Sequence, residues 1–179
     1  ILKVLESLFQ LQNRGYDSFG IAYLENNNYN LIKYSKNCVN ENIDLFEYFK
    51  QQTNNLFSNI CIGHSRWATH GNINKQNSHP HISNNKQFIC IHNGIIENYY
   101  ELKQFLLDKK YTFYSETDTE VIINLIEYYY HETGDFQLSI QKAVQLLNGT
   151  YGLILLDNNN KDNIFIIKNG SPLIISETN

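Results

Sequence analysis

The chain has no long apolar run, few cysteines, and fewer basic than acidic residues. No segment approaches the roughly 18 uninterrupted apolar residues of a membrane span, so we expect no membrane contact. The three cysteines, Cys38, Cys61 and Cys90, are too far apart for a disulfide framework or a zinc ribbon. This cysteine usage favours a reducing compartment and therefore a cytoplasmic protein. A net charge of −4 argues against a nucleic-acid partner, because such proteins normally carry a basic face.

Other features that the sequence lacks limit the kinds of catalytic and binding site that we expect. The sequence contains no methionine, so we expect further sequence before Ile1, and the first residues do not have the pattern of a signal peptide. Glycine-rich phosphate loops are absent, and no serine, histidine and aspartate are grouped as a catalytic triad would require. His79 and His81 do not match zinc-ligand spacing with Cys61 or Cys90, so we interpret them as ordinary loop histidines rather than metal ligands.

The length of the chain favours one domain over residues 1–179. Apolar periodicity predicts helices and strands in the order of an α+β fold. Helices are predicted over residues 1–13, 42–57, 98–109, from 117 onward and over 136–147. Strands are predicted at residues 20–24, 29–34, 60–65, 88–92, 111–114, 151–156, 164–168 and 173–175, with a loop over 71–86. Because short turns join most strands, the sheets should be antiparallel rather than built from βαβ units.

Four polar segments, residues 14–18, 63–71, 92–98 and 115–120, lie at the ends of predicted elements, where functional residues concentrate. Arg66 could bind a carboxylate or phosphate through its guanidinium fork, or form an ordinary surface ion pair. Asn93-Gly94 is typical of a hairpin turn, but it could also form an oxyanion hole. Asp118 could cap a helix or bind a ligand ammonium. Together these residues indicate a site for a small amino acid.

Residues 11–22, 66–71, 92–98 and 115–121 resemble the glutaminase (class II glutamine amidotransferase) domains of glucosamine-6-phosphate synthases. The resemblance runs from residue 1 to about residue 176. It implies an N-terminal-nucleophile hydrolase fold, a four-layer αββα sandwich with two antiparallel sheets. The implied reaction is hydrolysis of the L-glutamine side-chain amide to glutamate and ammonia, with no cofactor. The family then passes ammonia through a channel to a sugar-phosphate isomerase domain, which makes glucosamine 6-phosphate from fructose 6-phosphate for UDP-N-acetylglucosamine synthesis.

The resemblance also implies roles for individual residues. It implies that Asn93 and Gly94 form the oxyanion hole and that Arg14 and Gly15 lie beside the nucleophile. It also implies that Arg66, Thr69 and His70 bind the α-carboxylate of the substrate and that Asp118 binds its α-ammonium. Trp67 corresponds to a residue that gates the path of ammonia.

The family nucleophile is an N-terminal cysteine whose own α-amino group acts as the general base. We expect it roughly a dozen residues before Ile1, so the chain as given should be inactive. Cys61 and Cys90 are interpreted as inert core residues. We expect isomerase domains downstream and a homodimer in the full-length form. Two alternatives remain: a glutamine-binding regulatory homologue without the cysteine, and the glutaminase domain of an amidophosphoribosyltransferase-type enzyme.

Overall fold

The computed structural model describes residues 1–11, 15, 17–36, 45–67 and 72–177. Its helices are α1 (Leu2–Gln10), α2 (Leu45–Thr53), α3 (Tyr99–Asp108), α4 (Asp118–Thr133) and α5 (Phe136–Val144). Its strands are β1 (Ser18–Glu25), β2 (Asn28–Ser35), β3 (Cys61–Arg66), β4 (His81–Ile82), β5 (Phe88–Ile96), β6 (Gly149–Asp157) and β7 (Asn160–Asn169). The chain forms two compact units, Ile1–His81 with Phe113–Thr117, and Ile82–Thr112 with Asp118–Asn179.

The first unit contains an antiparallel sheet in the order β2-β1-β3. The turn between β1 and β2 consists of Asn26 and Asn27, whose φ angles are 49° and 62°. Positive φ at both central positions is the requirement of a type I′ turn, and asparagine tolerates it better than most residues. The hairpin predicted around these asparagines is confirmed.

The core of the first unit lies between α1, α2 and the sheet. Gly63 on β3 lets α1 approach closely, since a Cβ there would lie 2.6 Å from Val4 Cγ1 and 2.8 Å from Leu8 Cδ1. The buried cluster consists of Leu5, Leu8, Phe19, Ile21, Tyr23, Tyr34 and Phe49. Each leucine, isoleucine or phenylalanine of this cluster contributes roughly 1.5–3 kcal/mol by leaving water, which holds α1 and α2 against β1 and β2.

The second unit contains a sheet in the order β4-β5-β6-β7, with α4 packed on β5 and also against α3 and α5. Phe88 marks the face of β5 that the helices cover. Its ring centroid lies 4.9 Å from that of Tyr130 on α4 and 4.4 Å from that of Phe136 on α5. Side chains alternate along a strand, so Cys90 and His92 share this helix-covered face.

The predicted α+β class with two antiparallel sheets is confirmed, but several boundaries differ. Residues 111–114 form no strand because the Asn84 side chain takes the place of a strand neighbour. Its amide donates to the carbonyl oxygen of Thr112 (2.9 Å) and accepts from the Thr112 N–H (2.8 Å). Residues 173–175 also form no strand, and α5 ends at Val144. None of the helices in the described ranges is both long and apolar enough to cross a membrane.

Candidate functional site

Asn93 and Gly94 lie within β5 rather than at its end. Asn93 is opposite Gly152, and Gly94 is opposite Tyr151, in the antiparallel register with β6. The strand is buried from Phe88 to His92 and then becomes exposed at residues 93–95. The hairpin-turn alternative for this pair is therefore wrong, and three exposed residues lie inside an otherwise buried strand.

Gly94 has a backbone conformation that other residues rarely adopt. Its φ is +136°. A Cβ at this position would overlap the carbonyl oxygen of Thr150 and would lie 2.8 Å from the Cα of Tyr151. Glycine is therefore required here, both for its freedom at positive φ and for the close approach of β6.

Asp118 is the first residue of α4, and its carboxylate lies alongside the exposed part of β5. Its Oδ2 accepts a hydrogen bond of 2.9 Å from the backbone N–H of Ile96, and its Oδ1 lies 3.6 Å from His92 Nδ1. The Asp118 side chain is 16% exposed, compared with 1% for His92. A carboxylate at a helix N-terminus is stabilised by the helix dipole, so Asp118 presents a fixed negative charge at this position.

The two described cysteines are poor nucleophiles. Burial, helped by the negative charge of Asp118, raises the pKa of the Cys90 thiol well above its ordinary value. Burial also raises the pKa of Cys61, to about 11. Because only the thiolate attacks, both residues are inert near neutral pH, as the sequence indicated.

Arg66 ends β3 and is only 6% exposed, so the surface ion-pair alternative is wrong. Its carbonyl oxygen accepts a hydrogen bond of 3.2 Å from the Asp17 N–H. A Cβ at Gly15 would lie 2.9 Å from the carbonyl carbon of Ser65 and 3.0 Å from that of Arg66, so the chain at Gly15 passes directly against this strand end. A buried guanidinium needs acceptors or an anion to offset its lost hydration. The next residue, Trp67, is 57% exposed.

Sequence reasoning interpreted His79 and His81 as ordinary loop histidines, but both are buried. The His79 ring stacks on that of His64, with centroids 4.2 Å apart, and meets the His81 ring edge-on at 5.0 Å. Burial lowers the pKa of His81 well below its ordinary value, as do the charges of Lys33, Arg66 and His64. Residues 77–81 are all buried, so this segment has no alternating pattern that could have indicated buried histidines from the sequence.

A second feature that sequence reasoning missed is the attachment of residues 72–78. The Asn77 amide donates to Glu116 Oε2 (2.9 Å) and to the Asn72 carbonyl oxygen (2.8 Å), and it accepts from the Glu116 N–H (2.9 Å). Glu116 Oε2 also accepts from the Asn72 N–H at 2.9 Å. These bonds form what we call the Asn77–Glu116 clamp. It fixes the chain that follows the predicted substrate-binding residues Thr69 and His70.

The structure thus gathers the predicted site residues at two places. Gly15, Arg66 and Trp67 lie at the end of β3 in the first unit. Asn93, Gly94 and Asp118 lie along the exposed part of β5 in the second unit. The predicted residues Arg14, Thr69 and His70 lie outside the described residues.

Comparison with known proteins decides the family. Residues 64–179 match the family model described as glutamine amidotransferase domain, a range that includes Arg66, Asn93 and Asp118. The chain belongs to this family.

Relatives and a solved structure agree with this membership. The chain is 45% identical to glutamine–fructose-6-phosphate aminotransferase [isomerizing] of Caldanaerobacter subterraneus subsp. tengcongensis, over 96% of this chain and 27% of the relative. It is 44% identical to the protein of the same name from Staphylococcus aureus, over 96% of this chain and 28% of the relative. The chain therefore spans little more than a quarter of the length of these relatives.

The solved structure is a glutamine phosphoribosylpyrophosphate amidotransferase from B. subtilis, complexed with ADP and GMP. It superposes with a TM-score of 0.69 at 24% identity, over 88% of this chain and 33% of that one. At this identity the likeness bears on the fold alone, and it confirms the predicted fold class.

Proposed function

We propose that the full-length protein hydrolyses the side-chain amide of L-glutamine and uses the ammonia to convert fructose 6-phosphate to glucosamine 6-phosphate. The observation that carries this proposal is the 45% and 44% identity, over 96% of the chain, to proteins named for that reaction. The isomerase domains, the ammonia channel, the homodimer and the cytoplasmic location belong to the same proposal.

The charged residues support recognition of an amino acid. Arg66 binds the α-carboxylate of glutamine, because its guanidinium offers two parallel donors that match a carboxylate. Thr69 and His70 assist it. Asp118 binds the α-ammonium, and its partial exposure supports this role, since a carboxylate without solvent access could not reach a ligand.

The exposure of residues 93–95 on β5 supports an oxyanion hole. The side-chain amide of Asn93 and the N–H of Gly94 donate to the oxygen of the tetrahedral intermediate. One such donor is worth about 2.7–4 kcal/mol of transition-state stabilisation. The requirement for glycine at position 94 is consistent with a backbone shaped for this purpose.

The nucleophile is a cysteine at the mature N-terminus, before Ile1, with Arg14 and Gly15 beside it. Its sulfur attacks the amide carbon, the carbon–nitrogen bond breaks, and ammonia leaves with a proton relayed by the α-amino group. Water then hydrolyses the thioester to glutamate and regenerates the thiol. The raised pKa values of Cys61 and Cys90 exclude both from this role.

The full-length protein, incubated with glutamine and fructose 6-phosphate, should release glutamate and form glucosamine 6-phosphate in equal amounts. Glutamate without an aminated sugar, together with phosphoribosylamine formed when phosphoribosyl pyrophosphate replaces the sugar, would identify the amidophosphoribosyltransferase type instead. Glutamine binding with no glutamate formed would identify a regulatory homologue.

Replacement of Arg66 tests the substrate site within this function. Arg66→Lys keeps the positive charge but loses the planar fork, so affinity for glutamine should fall about ten- to hundredfold. Lys142→Ala is the control, because it removes a half-exposed cation that lies 3.9 Å from Glu132 on the helical face of the other unit. Calorimetry measures both variants with L-glutamate, the reaction product, which carries the same α-carboxylate as glutamine. An affinity of Arg66→Lys equal to that of the wild type would contradict the role of Arg66.

A further inference from the structure

Behind the Asp118 carboxylate lies a hydrogen-bonded pair that none of the site roles above uses. His92 Nδ1 lies 3.1 Å from Thr119 Oγ1, and Thr119 Oγ1 lies 3.4 Å from Asp118 Oδ1. The direct distance from His92 Nδ1 to Asp118 Oδ1 is 3.6 Å, which is too long for a hydrogen bond. The threonine hydroxyl therefore links the two groups, through a hydrogen bond with His92 and a longer, weaker one to the carboxylate.

Of these three residues, Asp118 alone has appreciable solvent exposure. The Asp118 side chain is 16% exposed and the His92 side chain 1%, while Thr119 is fully buried. Only Asp118 is accessible to a ligand. His92 and Thr119 cannot touch a substrate, so any effect they have on binding must act through the carboxylate.

One arrangement of protons satisfies all of these distances. With its proton on Nδ1, His92 donates to Thr119 Oγ1, which leaves the threonine O–H to donate to Asp118 Oδ1. The N–H of Ile96 donates to the other oxygen, Oδ2, at 2.9 Å. Both carboxylate oxygens are then held from β5, one by the backbone and one by the relay from His92.

We propose that His92 and Thr119 are positioning residues that fix the orientation of the Asp118 carboxylate toward the α-ammonium of the substrate. This inference rests on the proposed function. The relay polarises each bond in the same direction and removes rotameric freedom that Asp118 would otherwise lose on binding. A carboxylate fixed in advance binds an ammonium more tightly than a mobile one does.

The test compares L-glutamate with glutarate, which differs only by lacking the α-ammonium. Calorimetry on the full-length protein should show that the wild type prefers L-glutamate. Thr119→Val keeps the shape but removes the hydroxyl, so L-glutamate affinity should fall roughly five- to tenfold while glutarate affinity stays the same. Thr119→Ser keeps the hydroxyl and should retain the preference. Thr133→Val, at the far end of α4, is the matched control and should change neither affinity.

The histidine is tested with a second pair of variants. The amide nitrogen of asparagine occupies about the place of Nδ1, so His92→Asn should retain most of the preference for L-glutamate. His92→Leu has no donor and should lose it as Thr119→Val does. If the His92 variants do not fold, the Thr119 pair decides the question by itself.

The remaining outcomes separate the inference from the function on which it rests. Equal losses for L-glutamate and glutarate in Thr119→Val would show a merely structural role and overturn the inference, as would unchanged affinities. A wild-type protein that binds both ligands equally would overturn the inference and the role of Asp118, while leaving amide hydrolysis untouched. A wild-type protein that binds neither ligand would contradict the proposed function itself.

Discussion

Gly94 is a candidate site residue whose replacement the structure constrains strongly. Alanine at this position combines strain at a φ of +136° with overlap between its Cβ and the Thr150 carbonyl oxygen. We expect Gly94→Ala to lower the free energy of unfolding by about 2–4 kcal/mol. Gly134→Ala is the matched control. Gly134 also has a positive φ, 66°, but nothing lies within 4 Å of its Cβ position.

Urea denaturation of both glycine variants measures the difference between them. Gly134→Ala should lose about 1–2 kcal/mol, the cost of the left-handed conformation alone. Equal losses in the two variants would show that β6 yields to the added methyl group, and that the close approach at Gly94 is unimportant.

His81 makes stability depend on pH. Its folded-state pKa is lowered, first by burial and then by Lys33, Arg66 and His64, although a hydrogen bond that the ring donates to the backbone of Asn77 acts in the opposite direction. The folded ring stays neutral while the unfolded chain takes up a proton near its ordinary value of 6.5. The contribution of His81 is therefore complete above pH 6.5, and it is lost as pH falls from 6.5 toward the folded pKa.

Replacement of His81 by glutamine tests this pH dependence. His81→Gln can still bond the Thr117 hydroxyl, which lies 3.1 Å from His81 Nε2, but it cannot titrate. Between pH 7 and pH 5 the wild type should lose up to about 1.4 kcal/mol more per pH unit than the variant. Denaturation midpoints across this range measure the slopes, and parallel slopes would contradict the assignment. His79, whose ring is in contact with that of His81, stays in place in both proteins.

At the scale of elements, the Asn77–Glu116 clamp joins residues 72–78 to residues 113–117 without a strand or helix between them. Asn77→Ala removes three hydrogen bonds of 2.8–2.9 Å and leaves Glu116 with fewer partners in a part-buried place. We expect a loss of about 1–3 kcal/mol, and faster amide hydrogen exchange in both segments. Asn163→Ala, at an exposed position on β7, should change neither quantity. Exchange that stays slow in Asn77→Ala would mean that other contacts hold the two segments.

The helices and strands show which parts of the fold sequence patterns could predict. Apolar periodicity correctly predicted the β1–β2 hairpin and α4, because a buried face must repeat with the period of its element. The same reasoning ended β5 at His92, since Asn-Gly usually marks a turn. In the structure, pairing with β6 continues to Ile96. An Asn-Gly pair in a turn and one inside a strand differ only in whether a neighbouring strand pairs with them. That pairing cannot be predicted from the adjacent residues in the sequence.

The strand predicted at residues 111–114 is absent because of another long-range contact. Its aromatic residues suit a strand, but the backbone of Thr112 bonds the side chain of Asn84, 28 positions earlier. A side chain that makes the hydrogen bonds of a neighbouring strand produces no periodic pattern in the sequence, so it could not be predicted. For the candidate site, the charges of Arg66 and Asp118 made both residues candidates from the sequence. The burial of His81 and the hydrogen bonds of His92 depend on packing, which local sequence does not show.

At the scale of the whole molecule, the chain spans 27–28% of the length of its aminotransferase relatives. Under the proposed function, ammonia made by this part has to reach chemistry carried by the rest of the protein. Ammonia released into neutral water is protonated and ceases to be a nucleophile. A device that keeps it from water should therefore lie at the boundary of the glutaminase part. Trp67 suits this role by position, since it is large, follows the buried Arg66 directly, and remains more than half exposed.

We expect Trp67→Ala to uncouple the two reactions of the proposed function. Removal of an exposed ring should leave the free energy of unfolding within about 0.5 kcal/mol of the wild type. Glutamate would still form, but the yield of glucosamine 6-phosphate per glutamate would fall, because ammonia escapes to solvent. Phe57→Ala is the matched control: Phe57 is 92% exposed in the same unit, and its loss should leave the yield unchanged. Parallel assays of glutamate and aminated sugar measure the yield, and an unchanged ratio in Trp67→Ala would remove the gating role.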